Sequence, residues 1–312
     1  MDLRYIDAAE LEKSLGTEEL VDKIEAAFRG SAQASARSHL DVGNGSLLLM
    51  PAWAPGKYTG AKLVTIHPEN RRKGLPTVHG LYTLFDGQDG RPLAVLDGGV
   101  LTLKRTAATS ALAAKYLARE DAATHLMIGA GALAPYLVRA MRCVHSIERV
   151  LIWNRSDAAR DELVRTLRAE GCPAEAAEDL EGAIRQSDII STATQSCEPL
   201  VHGAFLAPGT HLDLVGAYAP DMTESDGEAL AGARIVVDTW EGARAEAGDL
   251  IQAVEKGHLA WDDVSGDLAG LVRGECSGRA SAAEITVFKS VGASIEDLAA
   301  AVLAWEISAA NL

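Results

Sequence analysis

Apolar and polar positions follow two different patterns along the chain. In the first third, Ser46–Met50, Gly60–Ile66, Gly80–Phe85 and Pro92–Leu96 are short apolar runs. The turn residues Gly43-Asn44-Gly45, Pro55-Gly56 and Asp89-Gly90 separate them, which predicts strands. Ahead of these strands, Leu20, Val21, Ile24, Ala27 and Phe28 recur at helical spacing over Thr17–Arg29, with Thr17 as the expected cap. Thr102–Arg119 reads as an alanine-rich helix. From there strands and helices alternate. His125–Ile128, Val150–Trp153, Ser187–Thr194, His211–Gly216 and Arg234–Asp238 read as strands, and Ser156–Glu170 as an amphipathic helix. Ser294–Leu312 closes the chain as a helix whose apolar face is Ile295, Leu298, Ala301, Val302 and Trp305. The expected fold class is α/β: a Rossmann doubly wound parallel sheet over residues 119–293, plus an α+β domain over residues 1–118, to which helix 294–312 is free to return.

The junction of the first two central strands carries the clearest chemistry. His125–Ile128 runs into Gly129-Ala130-Gly131-Ala132-Leu133-Ala134, a helical pattern follows, and Val150–Trp153 ends in Asn154-Arg155-Ser156. That is the layout of a dinucleotide-binding βαβ unit. Gly129 permits the tight turn, and Gly131 lets the backbone approach a pyrophosphate. Ala134 replaces the usual third glycine and is still small. The helix N-terminus offers N–H groups to the phosphates. At the end of the second strand no carboxylate awaits a ribose 2′-hydroxyl. Arg155 can pair with a 2′-phosphate, and Asn154 and Ser156 can hydrogen-bond it, so NADP(H) is favoured and NAD(H) remains open.

Composition narrows the partners. The chain has 312 residues, 48% of them hydrophobic, which suits two packed domains. Its net charge of −15 argues against nucleic acid. No apolar run reaches the roughly 18 residues of a membrane helix, and the start of the chain has no apolar signal core, so a cytoplasmic protein away from membranes is expected. Cys143, Cys172, Cys197 and Cys276 lack C-x-x-C spacing and read as reduced, mostly core thiols. The eight histidines lack metal-ligand spacing, so no metal is expected.

The first domain is rich in cations: Lys57, Lys62, Arg71, Arg72, Lys73 and Arg105. Lys62 interrupts the apolar strand Ala61-Lys62-Leu63-Val64. It is either a buried lysine, which needs a partner or a shifted pKa, or a solvated one on the outer side of the strand. Arg105 is placed in the first helical turn, where a cation is electrostatically poor; it is either a surface residue or a bidentate grip for a carboxylate. Arg37 precedes the first strand as a second such grip. Arg71, Arg72 and Lys73 either receive a second carboxylate or form a solvated loop.

The motifs Leu48-Leu49-Met50-Pro51-Ala52-Trp53, Gly60-Ala61-Lys62-Leu63-Val64-Thr65, Gly74-Leu75-Pro76-Thr77-Val78, Gly90-Arg91-Pro92-Leu93-Ala94 and Leu101-Thr102-Leu103-Lys104-Arg105-Thr106 follow one another in order. With the glycine turn, Thr192-Ala193-Thr194, Val215-Gly216-Ala217 and Phe288-Lys289-Ser290-Val291-Gly292, they resemble the ornithine cyclodeaminase/mu-crystallin family over essentially the whole chain. The resemblance implies a homodimer, with the N-terminal domain and final helix binding substrate and forming the dimer. It implies that Arg37, Lys62 and Arg105, beside Met50, hold a small imino- or amino-acid substrate, with Lys62 close enough to the imine to assist proton movement. It implies cofactor contacts at Thr77, Arg105, Thr106, Gly129, Gly131, Ala132, Leu133, Asn154, Arg155, Ser156, Thr192, Ala193, Thr194, Val215, Ser290 and Gly292.

Two departures matter. Ornithine cyclodeaminases carry a carboxylate in the strand before the Met-Pro motif, where this chain has Leu48-Leu49. They carry an aspartate where this chain has Tyr218, although Asp221 follows closely. Tyr218 is either a proton donor to the imine or a packing aromatic near the nicotinamide. The expected activity is therefore NAD(P)H-dependent reduction of the C2 imine of a small ketimine carboxylate: Δ1-pyrroline-2-carboxylate, Δ1-piperideine-2-carboxylate or iminosuccinate. Lys62, Arg105 and Tyr218 are the catalytic candidates. Ornithine cyclodeaminase, alanine dehydrogenase and a mu-crystallin-like NADPH-dependent binding protein are the alternatives.

Overall fold

The computed structural model describes residues 3–310, apart from the side chain of Arg71. The chain divides into two compact units, residues 1–109 with 293–312, and residues 110–292.

The first unit begins with β1 (Arg4–Ile6), α1 (Ala8–Ser14), α2 (Thr17–Arg29), β2 (Gln33–Ala34) and β3 (Ser38–Asp41). β4 (Ser46–Ala54), β5 (Tyr58–Ile66), β6 (Val78–Asp86), β7 (Pro92–Asp97) and the start of α3 (Gly98–Leu117) follow. Its sheet has the order β1-β7-β6-β5-β4-β2, with β3 also on β4. All pairs are antiparallel except β1 with β7. Side chains alternate across such a sheet. Leu48, Met50, Ala52, Lys62, Tyr82, Leu84 and Leu96 are buried on the inner face. α11 (Ser294–Ala310) lies across that face on β4 to β7 and against α2. The expected strands are all present but longer. Gly16, not Thr17, is the N-cap of α2. α3 starts four residues earlier than its alanine pattern suggested, with Asp97 accepting from the Val100 N–H at 2.8 Å. Arg105 is thus in the third turn, and the argument from a first-turn cation does not apply.

The second unit continues from α3 through β8 (Thr124–Ile128), α4 (Ala134–Val144), β9 (Arg149–Trp153), α5 (Asp157–Ala169), β10 (Ala174–Ala176), α6 (Leu180–Arg185) and β11 (Ile189–Thr192). Then come β12 (His211–Leu214), α7 (Gly227–Leu230), β13 (Arg234–Val237), α8 (Trp240–Glu246), α9 (Gly248–Glu255), β14 (Val264–Asp267), α10 (Leu268–Arg273) and β15 (Thr286–Lys289). Eight strands form one parallel sheet of order β10-β9-β8-β11-β12-β15-β13-β14. The chain runs outward one way from β8 to β10 and returns to the other side at β11. The switch point therefore lies between β8 and β11, where open α/β sheets bind ligands at the carboxyl ends of the strands. Leu126, Ile128, Ile190, Leu212, Leu214, Ile235, Val237 and Val287 form the core. Among the cysteines only Cys172 is buried, whereas Cys143 and Cys197 are exposed, so the expectation of mostly core thiols fails.

Candidate functional site

In the first unit the inner face brings together residues far apart in sequence. Met50, Lys62 and Tyr82 are direct cross-strand neighbours on β4, β5 and β6. Lys62 is 2% exposed, which removes the solvated reading. Its Nζ lies 2.8 Å from both Asp297 carboxylate oxygens and donates to Thr102 Oγ1 at 3.3 Å. Arg105, 4% exposed on α3, donates from Nε to Asp297 Oδ1 at 2.9 Å and from Nη1 to Glu296 Oε2. Burial lowers the Lys62 pKa from 10.5 to about 8; Asp297 opposes that change, while Arg105 and Arg37 reinforce it. Arg37, half-buried between β2 and β3, thus acts on Lys62 through space. Tyr82 is fully buried, and its hydroxyl has no hydrogen-bond partner among the described residues.

Glu296 and Asp297 were not singled out in the sequence. They follow Ser294 at the head of an apolar helix, where acids ordinarily serve the helix dipole. Their complete burial is the signal of another role, and it is visible only in three dimensions. Lys57, Arg72 and Lys73 stay apart from this cluster. Lys57 is exposed in the turn between β4 and β5, and Lys73 is exposed. Arg72 pairs with Glu69 on the surface at 2.8 Å. The side chain of Arg71 lies outside the described residues. Leu49 and His79 sit on the sheet face opposite Lys62, in the rows Leu49-Leu63-Leu81 and Leu47-Thr65-His79. Met50 shares the face of Lys62. Thr77 lies just before β6 and Thr106 follows Arg105 on α3, both half-buried.

In the second unit the glycine turn meets the end of β11. Gly129 has φ 111°, and a Cβ there would fall 2.7 Å from the Ala193 carbonyl oxygen, so only glycine fits. Gly131 and Ala132 are exposed, and apart from its chain neighbours no atom of the described residues stands within 4 Å of where a Gly131 Cβ would be, so the backbone there is open. Leu133 is the N-cap of α4, and Ala134 is fully buried in the packing of that helix. Asn154 Oδ1 accepts from the Ala130 N–H at 3.2 Å, and its amide donates to the Ser156 carbonyl at 3.1 Å. Ser156 caps α5. Arg155 is exposed, with no hydrogen bond or ion pair among the described residues. Of the three polar residues after β9, it is the one whose side chain has no such engagement within the protein.

Two buried acids hold the other strand ends. Glu224 binds residues at and just beyond the ends of β11 and β12: Thr192 Oγ1 at 2.7 Å, Thr194 N at 2.6 Å and Gly216 N at 2.7 Å. Asp238 accepts from the N–H groups of Val291 and Gly292, both at 2.7 Å, just beyond β15. Val215 and Ser290 are buried at the same ends of their strands, with their N–H groups on the Thr192 and Leu214 carbonyls. Tyr218 is 46% exposed beyond β12 and is not a core packing residue; Asp221 is exposed nearby. Among the described residues, no group of three or more His, Cys, Asp or Glu could hold a metal ion, and no helix is long and apolar enough to cross a membrane.

The model of the ornithine cyclodeaminase/mu-crystallin family matches residues 4–310. The chain belongs to that family. Within it, a Δ1-pyrroline-2-carboxylate reductase of Paracoccus denitrificans is 39% identical over 281 residues, covering 89% of this chain and 89% of that protein. The structure of the Thermococcus litoralis Δ1-pyrroline-2-carboxylate reductase, in complex with NADH and L-proline, superimposes with a TM-score of 0.94 at 34% identity, covering 99% of this chain and 98% of that one. An archaeal alanine dehydrogenase dimer with bound NAD gives a TM-score of 0.93 at 35% identity, covering 100% and 97%. The α/β class and the Rossmann-like parallel sheet expected from the sequence are those of this family.

Proposed function

We propose that this protein is an NAD(P)H-dependent imine reductase acting on a small ketimine monocarboxylate, Δ1-pyrroline-2-carboxylate foremost, to give the L-amino acid. The observation that carries the reading is the buried cluster of Lys62, Arg105, Glu296 and Asp297. A buried ammonium with a lowered pKa is suited to give a proton near neutral pH. The relatives that act on Δ1-pyrroline-2-carboxylate, 39% and 34% identical to this chain, support that monocarboxylate ahead of iminosuccinate, whose reductase of Paracoccus denitrificans is 28% identical.

Each residue has a chemical task in this reading. Arg37, with Arg105 and Lys62, holds the carboxylate and so fixes which face of the C=N bond is presented. Lys62 donates a proton to the imine nitrogen as C2 gains its hydrogen, and is reprotonated from solvent. Asp297 keeps the ammonium charged and in place. Tyr218 is a second candidate to order that proton. The nicotinamide, when bound, supplies the hydride for C2. The backbone from Gly129 to Leu133 would hold its pyrophosphate, and Thr192, Ala193, Thr194, Val215, Ser290 and Gly292 would line its other end. Thr77, Arg105 and Thr106 are the contacts proposed from the first unit. Asn154, Arg155 and Ser156 would receive the adenosine ribose, and the unengaged Arg155 favours NADPH there.

We also infer a homodimer formed through the first unit. On the outer face of its sheet Tyr5, Leu40, Leu63 and Leu81 are 57%, 45%, 38% and 43% exposed. They lie in register with Leu47, Leu49 and Val95 and make the face largely apolar, with Thr65, His79 and Thr83 among them. Monomers rarely leave such a surface bare. The substrate assignment is tested by comparing kcat/KM for Δ1-pyrroline-2-carboxylate, Δ1-piperideine-2-carboxylate and iminosuccinate with reduced cofactor. Faster turnover of the two monocarboxylates is expected; preference for iminosuccinate would overturn it.

A further inference from the structure

Glu224 lies in the segment between β12 and α7 and is fully buried. Each of its carboxylate oxygens takes one backbone N–H and one hydroxyl. Oε1 accepts from Thr194 N at 2.6 Å and Thr194 Oγ1 at 2.8 Å. Oε2 accepts from Gly216 N at 2.7 Å and Thr192 Oγ1 at 2.7 Å. One side chain thus ties together the chain segments that leave two adjacent strands. The fit is tight: a Cβ at Gly216 would fall 2.3 Å from Glu224 Oε1 and 2.4 Å from the Thr194 carbonyl oxygen.

Glu224 is itself held. Asp249 Oδ1 accepts from the Glu224 N–H at 2.6 Å, the Ser225 N–H at 3.0 Å and Thr223 Oγ1 at 3.1 Å. Asp249 Oδ2 pairs with Lys289 Nζ at 3.0 Å, both side chains fully buried. The brace therefore runs from β15 through α9 to the ends of β11 and β12. A buried carboxylate is costly unless every lone pair is used, and here the donors are supplied in full. Burial raises the Glu224 pKa, and Lys289 opposes the rise.

These segments border the switch point. The Ala193 carbonyl and Thr194 Cγ2 are the atoms that a side chain at Gly129 would strike, so the glycine turn and the braced segment are in contact. We propose that Glu224 is a positioning residue for the dinucleotide: it fixes the backbone at Thr192–Thr194 and Gly216 in the shape that receives the nicotinamide end. This rests on the cofactor reading above.

Glu224→Gln separates the two ideas, because each oxygen now serves a backbone N–H. Whichever way the amide is turned, its NH2 faces either the Thr194 or the Gly216 N–H and leaves it unpaired. NADH binding is measured by fluorescence, hydrogen exchange is followed over peptides spanning residues 189–196 and 211–218, and the KM for Δ1-pyrroline-2-carboxylate is determined. The expected result is faster exchange at both segments, NADH affinity reduced on the order of tenfold, and an unchanged KM for the imine. Where Glu224→Gln does not fold, Thr223→Val removes one donor from Asp249, the residue that holds the Glu224 N–H, leaves every proposed cofactor contact in place, and is expected to speed exchange over both segments and to weaken NADH about twofold. NADH affinity equal to wild type in the folded variant would overturn the inference and leave the cofactor reading standing. A wild-type protein that does not bind NADH or NADPH would overturn both.

Discussion

The ammonium of Lys62 stands 2.8 Å from Asp297, a partner 235 residues further along the chain. Burial and the two arginines, Arg37 and Arg105, favour the neutral amine, and Asp297 favours the ammonium. Glu296, paired with Arg105, and the buried Tyr82, the cross-strand neighbour of Lys62, are further titratable groups beside this pair. With Lys62 at about 8, kcat/KM falls as pH rises through that value, because the proton donor is lost. Asp297→Asn removes the acid that touches Lys62 among the described residues, so the Lys62 pKa drops further and the alkaline fall moves to lower pH by roughly one to two pH units. A pH–rate profile that does not move would show that Lys62 is not the titrating donor.

Lys62→Met keeps the bulk of the side chain and removes the charge. We expect kcat for imine reduction to fall on the order of a thousandfold, with NADPH binding changed little, because the glycine turn belongs to the other unit. Equal losses of cofactor binding and turnover, read by fluorescence titration and steady-state rates, would make Lys62 a structural residue instead.

Cofactor choice rests on Arg155. It is exposed and has no partner within the described protein, while Asn154 is occupied by Ala130 and Ser156. Arg155→Asp should cut the preference for NADPH over NADH on the order of tenfold or more, since a charge-assisted bond to a 2′-phosphate becomes a repulsion. An unchanged ratio of kcat/KM values for the two cofactors would remove Arg155 from that role.

Leu63→Asp combined with Leu81→Asp places two charges in the centre of the outer sheet face. Light scattering is expected to give a dimer for the wild type and a monomer for the double variant, with the unfolding temperature lowered. A wild type that is monomeric at micromolar concentration would contradict the dimer.

The parallel sheet and the glycine turn were legible because they depend on local chemistry: apolar runs flanked by small residues, and a backbone conformation only glycine adopts at Gly129. Lys62 and Arg105 were legible as polar residues in apolar elements. The strands β1, β2, β3, β10, β14 and β15, of two to four residues each, were not. The partners of the cations were hidden for another reason. Glu296 and Asp297 look like ordinary first-turn acids until α11 is laid across β5, and Glu224 looks like a loop residue until two N–H and O–H bearing segments converge on it. Sequence periodicity reports which face of an element is buried, not which distant element covers it.

The most direct test is reduction of Δ1-pyrroline-2-carboxylate with NADPH or NADH carrying deuterium at the transferable C4 position. The account predicts L-proline with one deuterium at C2, formed in step with oxidation of the cofactor and lost with Lys62→Met. No cofactor oxidation with any imine, or unlabelled proline and ammonia made from ornithine with no net cofactor change, would contradict it.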